Sequence, residues 1–239
     1  MRKVAHIKSI PLYPQSEYSQ NKYHFLDVVL TMFFQCACYI AYMQEYTYIA
    51  GVDEAGRGPL AGPVAVGVVV ASADLDMDVI EGITDSKKLT APQRESWLEK
   101  IKEIQSSTNL QYTVAYANND EIDKFGITEA TKQALQSCIT DTHCIDPDNT
   151  KILLDGNLSA PNSFTNQHTI TKGDIKEPLI SAASICAKVL RDEKMQKYHK
   201  QHPEYGFASH KGYPTQTHYA AIEEHGPCKI HRKSYLTKK

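Results

Sequence analysis

GVDEAGRGPLAGPVAVGVVV, Gly51 to Val70, sets two adjacent carboxylates, Asp53 and Glu54, into a run that is otherwise apolar and rich in glycine. Tyr48, Ile49, Ala50 and Val52 read as a buried strand, and Pro63 to Ala71, dense in β-branched residues, reads as a second. Neighbouring side chains on a regular strand point to opposite faces, so Asp53 and Glu54 converge only if the strand stops at Asp53. Gly56, Gly58, Pro59, Gly62 and Pro63 supply residues that cannot continue a ladder. Two carboxylates at a strand end, beside a tight loop with bare backbone N–H groups, suit a hard divalent cation held next to a phosphate. The competing reading is a solvated turn with an acidic N-cap.

Beyond the second strand, Asp74 to Gly82 is a polar connection. Ser86, Lys87 and Lys88 in TDSKKL offer a hydroxyl and two ammonium groups, either a phosphate handle or a solvated basic turn. Thr90 is the expected N-cap of a helix through Arg94, Trp97, Leu98 and Ile101. Gln111 to Ala117 alternates as a strand, and Ile127, Ala130, Ala134, Cys138 and Ile139 recur at helical spacing. Lys151 to Leu154 is a short apolar strand ending on Asp155, which meets the first pair of carboxylates if the two strands are neighbours. His168 to Thr171 predicts a further strand, followed by a turn at Lys172, Gly173 and Asp174 and a helix opening near Pro178. Ser181, Ala182, Ala183 and Ser184 are small enough to let that helix lie close to a sheet. Asp174, in the loop before the helix, reads as a fourth site carboxylate, and Asp192, on the helix, as an ion-pair partner. Beyond about residue 199, Lys211 and Tyr213 interleave charge and aromatic surface as a sugar–phosphate contact requires, and a helix is expected from about Thr215 to Glu224.

Composition narrows the chemistry. A chain of 239 residues with 41% hydrophobic and 23% charged side chains can bury one sizeable core. The net charge of −2 means that any electropositive surface is local. From Lys211 onward six cations (Lys211, Lys229, Arg232, Lys233, Lys238, Lys239) face two carboxylates, Glu223 and Glu224, which suggests the tail. The six cysteines have neither metal-ligand spacing nor disulfide density, which implies reduced thiols in a cytoplasmic protein, with Cys138 and Cys186 as small core residues. The histidines form no zinc pattern, there is no Gly-x-Ser-x-Gly elbow or cysteine–histidine signature, and GRGPLAG lacks the Gly-Lys-Ser/Thr of a Walker loop.

Together with TDSKKL (Thr84 to Leu89), LLDGN (Leu153 to Asn157), KGD (Lys172 to Asp174), ISAASICAKVLRD (Ile180 to Asp192) and YGFASHKGYPT (Tyr205 to Thr215), the opening stretch resembles the ribonuclease HII family, type 2 ribonuclease H. The resemblance runs from about Tyr48 to Tyr235. It implies an α/β fold, a ribonuclease H-like mixed β-sheet flanked by helices, with a helical C-terminal part forming one wall of the cleft. It implies a metal-dependent endonuclease for the RNA strand of RNA–DNA hybrids and for the 5′ side of single ribonucleotides in duplex DNA, leaving 5′-phosphate and 3′-hydroxyl ends. Asp53, Glu54, Asp155 and Asp174 would hold two Mg2+ or Mn2+ ions. Backbone around Gly56, Arg57 and Gly58 would read the 2′-hydroxyl, with Arg57 near a phosphate, and Tyr213 would cap the sugar on the 3′ side of the junction. Ser86, Lys87, Lys88 and Lys211 complete the expected nucleic-acid contacts, and the expected state is a monomer without an obligate protein partner. The rival readings are a binding module that has lost catalysis and a metal-dependent phosphotransferase on a related sheet.

Residues 1–42 have no counterpart in the resemblance. Phe25 to Tyr42 is mostly apolar but contains Asp27 and Gln35, which makes a membrane anchor the weaker reading. The segment is expected to be an extension outside the catalytic fold, itself placed at residues 43–239, with Met43 standing where a compact enzyme begins.

Overall fold

Strand β1, Tyr48–Ala55, has neighbours on both sides, and the rest of the domain is arranged by that fact. The computed structural model describes residues 46–236. The expectations for residues 1–42, including the anchor at 25–42, lie outside the described residues. Among the described residues no helix is long and apolar enough to cross a membrane.

In chain order the elements are β1, β2 (Val64–Ser72), a 3-10 turn at Met77–Ile80, α1 (Ala91–Ser107), β3 (Gln111–Ala117), α2 (Asn119–Phe125), α3 (Ile127–Asp141), β4 (Thr150–Asp155) and β5 (Gln167–Ile170). There follow α4 (Gly173–Lys176), α5 (Pro178–Gln201), a 3-10 turn at Pro203–Tyr205, α6 (Phe207–His210), α7 (Gln216–His225) and α8 (Lys233–Leu236). The described strands make one mixed sheet in the order β3-β2-β1-β4-β5, with β1 antiparallel to β2 and parallel to β4.

Both faces are covered, which is why β2 is buried along nearly its whole length. Its even-numbered valines, Val64, Val66, Val68 and Val70, pack with Ala130, Ala134, Leu135 and Cys138 of α3. Val69 and Ala71 face the other way, toward Leu98 and Ile101 of α1 and Ala183 and Cys186 of α5. Cys138 and Cys186 are fully buried core residues, and burial pushes both thiols up to about 12.

Helix α5 lies against the sheet so closely that two strand glycines are required. A Cβ on Gly51 would stand 2.3 Å from the Leu179 carbonyl carbon, and one on Gly67 would stand 2.4 Å from the Ala183 carbonyl oxygen. The Ser181–Ser184 run contributes no bulk to hold the layers apart. The far end of α5 carries Met195 into a third cluster with Ala61, Tyr205, Phe207 and Ile230, the core of the C-terminal part. There the segment Ile230–Arg232 lies along Leu60–Gly62: Gly62 donates its N–H to the Ile230 carbonyl at 2.9 Å and Arg232 to that of Leu60 at 2.8 Å.

Candidate metal and nucleic-acid site

β1 and β4 pair from Tyr48 with Thr150 up to Val52 with Leu154, and then part. The next residue of each strand is an aspartate, Asp53 and Asp155. β1 does not stop at Asp53, as the sequence reading required; it continues to Ala55, still paired to β2 through Glu54 with Val66 and Ala55 with Ala65. The glycines and prolines act only from residue 56. The opening is therefore one-sided, made by the loss of β4 rather than by the end of β1.

Asp174 reaches the same place from the one-turn helix α4. Lys172 enters that turn in the left-handed region (φ 57), and the Gly173 N–H donates to Asp155 Oδ1 at 2.7 Å. Oxygen atoms of Asp53, Asp155 and Asp174 all lie within 4.8 Å of one another. Asp53 is 4% exposed and Asp174 3%. Burial pushes the Asp53 carboxyl up to about 7; a hydrogen bond from the Ser184 hydroxyl opposes this, and the charges of Glu54 and Asp155 add to it. Two buried carboxylates and a third beside them are an all-oxygen donor set with negative charge in excess, which fits a hard divalent cation such as Mg2+ or Mn2+.

Glu54 stands apart from that group, as strand alternation demands. It is half-buried, 3.8 Å from the Arg57 guanidinium, and held above its ordinary value first by desolvation, with the Arg57 charge opposing and that of Asp155 adding. Lys87 places its ammonium 2.8 Å from Asp174 Oδ2, and that hydrogen bond raises it above the usual lysine value. Ser86 is not an exposed handle: it is buried, with its hydroxyl 2.8 Å from that of Ser184. Lys88 is exposed. Asp192 pairs with Lys188 at 2.9 Å, the ion-pair role expected of it.

The loop after β1 is shaped from behind by two arginines. Arg232 is fully buried and donates to three carbonyls, Gly56 at 2.7 Å, Arg57 at 2.8 Å and Gly62 at 2.9 Å. In a trans peptide the C=O and the following N–H point oppositely, so drawing these carbonyls inward turns the N–H groups of Arg57 and Gly58 away from Arg232. Tyr235 adds its hydroxyl to the Arg57 carbonyl at 3.0 Å. Arg191, also fully buried, donates to the carbonyls of Pro63 at 2.9 Å and Lys211 at 3.1 Å and lies 5.7 Å from the centre of the Tyr213 ring. Tyr213 is 39% exposed, beside Gly58. Lys211 is half-buried, in the left-handed region (φ 51), with its ammonium on the Ala208 carbonyl.

Sequence reasoning missed Arg191, Arg232 and Ser184 as parts of this site. Arg232 counted there as surface charge of the tail, and the structure corrects that: it is internal. A signal existed for two of them. Ser184, Ala187, Arg191 and Met195 follow at spacings of three and four, one stripe of α5, and all are buried.

Comparison with known proteins agrees with this architecture. The family model described as Ribonuclease HII matches residues 50–238. The Ribonuclease HII of Clostridioides difficile (strain 630) is 47% identical over 195 residues, covering 82% of this chain and 72% of that protein. That of Polynucleobacter necessarius subsp. necessarius (strain STIR1) is 46% identical over 191 residues, covering 79% and 92%. Among solved structures, the ribonuclease H2 of Pyrococcus horikoshii OT3 superposes with a TM-score of 0.60 at 28% identity, over 78% of this chain and 93% of that one. With a family model matching residues 50–238 and relatives identical at nearly half of the aligned positions, the chain belongs to the ribonuclease HII family, and it is a metal-dependent endoribonuclease acting on the RNA strand of RNA–DNA substrates.

Proposed function

We propose that this enzyme cuts on the 5′ side of a single ribonucleotide embedded in duplex DNA as well as within RNA–DNA hybrids, leaving 5′-phosphate and 3′-hydroxyl ends. The observation that carries the reading is the adjacency of the Asp53, Asp155 and Asp174 group to a loop whose peptide planes are set by Arg232. Asp53, Asp155 and Asp174, with Glu54 at the rim, would hold two divalent ions, Mg2+ or Mn2+. When bound, such ions activate water and offset the charge that builds on the phosphate during hydrolysis. The outward N–H groups of Arg57 and Gly58 bind the 2′-hydroxyl and the adjoining phosphate. A deoxyribonucleotide leaves such donors unpaired, at about 1–3 kcal/mol each. Arg57 lies near a phosphate, Lys87 and Lys88 receive the backbone on one side, and Lys211 with Tyr213 receives the sugar on the 3′ side. Ser86 contributes by keeping Ser184 directed at Asp53.

On this reading residues 43–239 carry the whole activity as a cytoplasmic monomer, and a chain beginning at Met43 cleaves as the full chain does. The deciding assay compares an all-DNA duplex, a duplex with one ribonucleotide, a long hybrid and a small phosphomonoester, with Mg2+ or Mn2+. Cleavage of the hybrid but not of the single-ribonucleotide duplex would refute the junction reading. Binding without cleavage of any of them would favour a binding module.

A further inference from the structure

Behind Tyr213, three histidine rings are packed into the core of the C-terminal part. His218 and His231 are 0% and 1% exposed, and His210 stacks on His218 with ring centres 4.4 Å apart. Phe207 closes on His218 at 5.5 Å and Tyr205 on His231 at 5.0 Å. None of these rings belongs to the carboxylate group or to the loop after β1.

Their protons follow from their neighbours. The Cys228 backbone N–H donates to His231 Nδ1 at 2.9 Å, closer than the Cys228 sulfur at 3.2 Å or carbonyl at 3.3 Å, and this shortest contact assigns the proton of a neutral His231 to Nε2. Nε2 lies 3.1 Å from His218 Nε2, which must therefore accept. The proton of His218 is then on Nδ1, and it donates to the Tyr213 carbonyl at 2.9 Å. His210 is oriented in the same manner: the Gly212 N–H donates to its Nδ1 at 3.2 Å, leaving Nε2–H for the Tyr205 carbonyl at 2.7 Å. The result is one directional chain, from Cys228 through two neutral imidazoles to the main chain of Tyr213. A second proton on His218 or His231 would set donor against donor, and burial keeps both rings below the ordinary histidine value.

The place where the chain ends gives it a consequence for chemistry. Lys211 and Gly212 are both in the left-handed region (φ 51 and 85), a turn that persists only when its surroundings over-determine it. Tyr213 leaves that turn with its N–H on the His210 carbonyl and its carbonyl shared by the Thr215 N–H and His218, each bond 2.9 Å. Its ring is 39% exposed beside Gly58, with the Arg191 guanidinium 5.7 Å from its centre, so the main chain is one of the two things that set its aim.

We propose that His218 and His231 are positioning residues of the cleavage reaction, a relay of neutral imidazoles that aims Tyr213 at the sugar beside the scissile bond. The proposal rests on the reading that Tyr213 faces that sugar, and a double-mutant cycle separates the two. His218→Leu removes the donor to Tyr213, whereas His218→Asn keeps an N–H in the position of Nδ1. With full-length enzyme, Mg2+ and a duplex carrying one ribonucleotide, His218→Leu is expected to slow single-turnover cleavage about 10-fold with little change in duplex affinity. His218→Asn is expected to recover most of the rate. In a Tyr213→Ala background His218→Leu produces no further loss, because the relay has nothing left to aim. An equal loss in both backgrounds overturns the relay while leaving Tyr213 in the site. A Tyr213→Ala enzyme with wild-type rate removes the tyrosine from the substrate and the relay with it. Should His218→Leu fail to fold, His231→Leu, which deletes the donor to His218 together with the acceptor of the Cys228 N–H, takes its place in the same cycle: a loss confined to the Tyr213 background supports the relay, and an equal loss in both overturns it.

Discussion

Asp53 is surrounded by like charge and little water, and burial moves its carboxyl from an ordinary 3.8 up to about 7. Asp53→Asn removes both costs at once. Cleavage is expected to fall by about 100-fold or more, while the melting temperature without metal stays level or rises, since an amide escapes the burial penalty of a carboxylate. Thermal unfolding with and without Mg2+ provides the check: the wild-type chain gains stability from the ion and the variant gains less. The two glycines of the loop are expected to behave differently. Gly56 has φ 94, and a Cβ there would stand 1.9 Å from Arg191 Nε, whereas a Cβ on exposed Gly58 would meet nothing nearer than the Tyr213 ring at 3.9 Å. Gly56→Ala is expected to cost about 2 kcal/mol or more in a urea melt. Gly58→Ala leaves the fold within about 0.5 kcal/mol and slows cleavage, because its open space belongs to the substrate. A Gly58→Ala enzyme with full rate would contradict that. Sequence alone marked both positions as glycine for close approach; it could not separate them, because the neighbour that constrains Gly56 is a side chain of α5.

At the scale of elements, the contact of α5 with the sheet is the most sensitive joint. Gly67→Val would drive side-chain atoms into the Ala183 carbonyl, and about 3 kcal/mol of destabilisation is expected, read by denaturant unfolding. Ser184, one residue further on, would shift from Asp53, so activity falls in the molecules that still fold. A variant as stable as wild type would show that the layers can separate without loss. A β-branched run and helical spacing were legible here: Val64–Ser72, Ile127–Asp141 and the small-residue face of α5 all appear where the residues predict them. The short helix Asn119–Phe125 was not, because it has little apolar periodicity and depends on its cap. Asn118 accepts from the Glu121 N–H at 3.0 Å, and Glu121 returns the bond to the Asn118 N–H at 2.7 Å. The extent of β1 was misjudged because its end is decided by a partner strand, and pairing with β2 outlasts pairing with β4.

In the molecule as a whole, buried histidines make stability depend on pH. Burial, then the nearby His218, lowers His231 to about 4 from an unfolded value near 6.5, with Cys228 opposing and His202 and His210 adding. The unfolded chain therefore binds the proton first, and stability present above pH 6.5 is lost as the pH falls toward 4, about 2 kcal/mol of it by pH 5. Asp53, raised in the fold, contributes in the opposite sense over the same range, so the comparison is with His231→Gln, whose urea midpoint is expected to change less between pH 7 and pH 5. Equal changes in both proteins would refute the assignment. This cluster was not legible in the sequence, since it depends on which segments become neighbours; the meeting of Asp53 with Asp155 was legible only on the condition that their strands lie side by side, as β1 and β4 do. The loop after β1 has one further property. Gly56 and the arginine that holds its carbonyl are 176 residues apart, a stretch that takes a ribosome about 9–35 s to traverse. Throughout that interval the growing chain has its first carboxylates and its loop but not the clamp, so the loop takes its final shape only after Arg232 has been made.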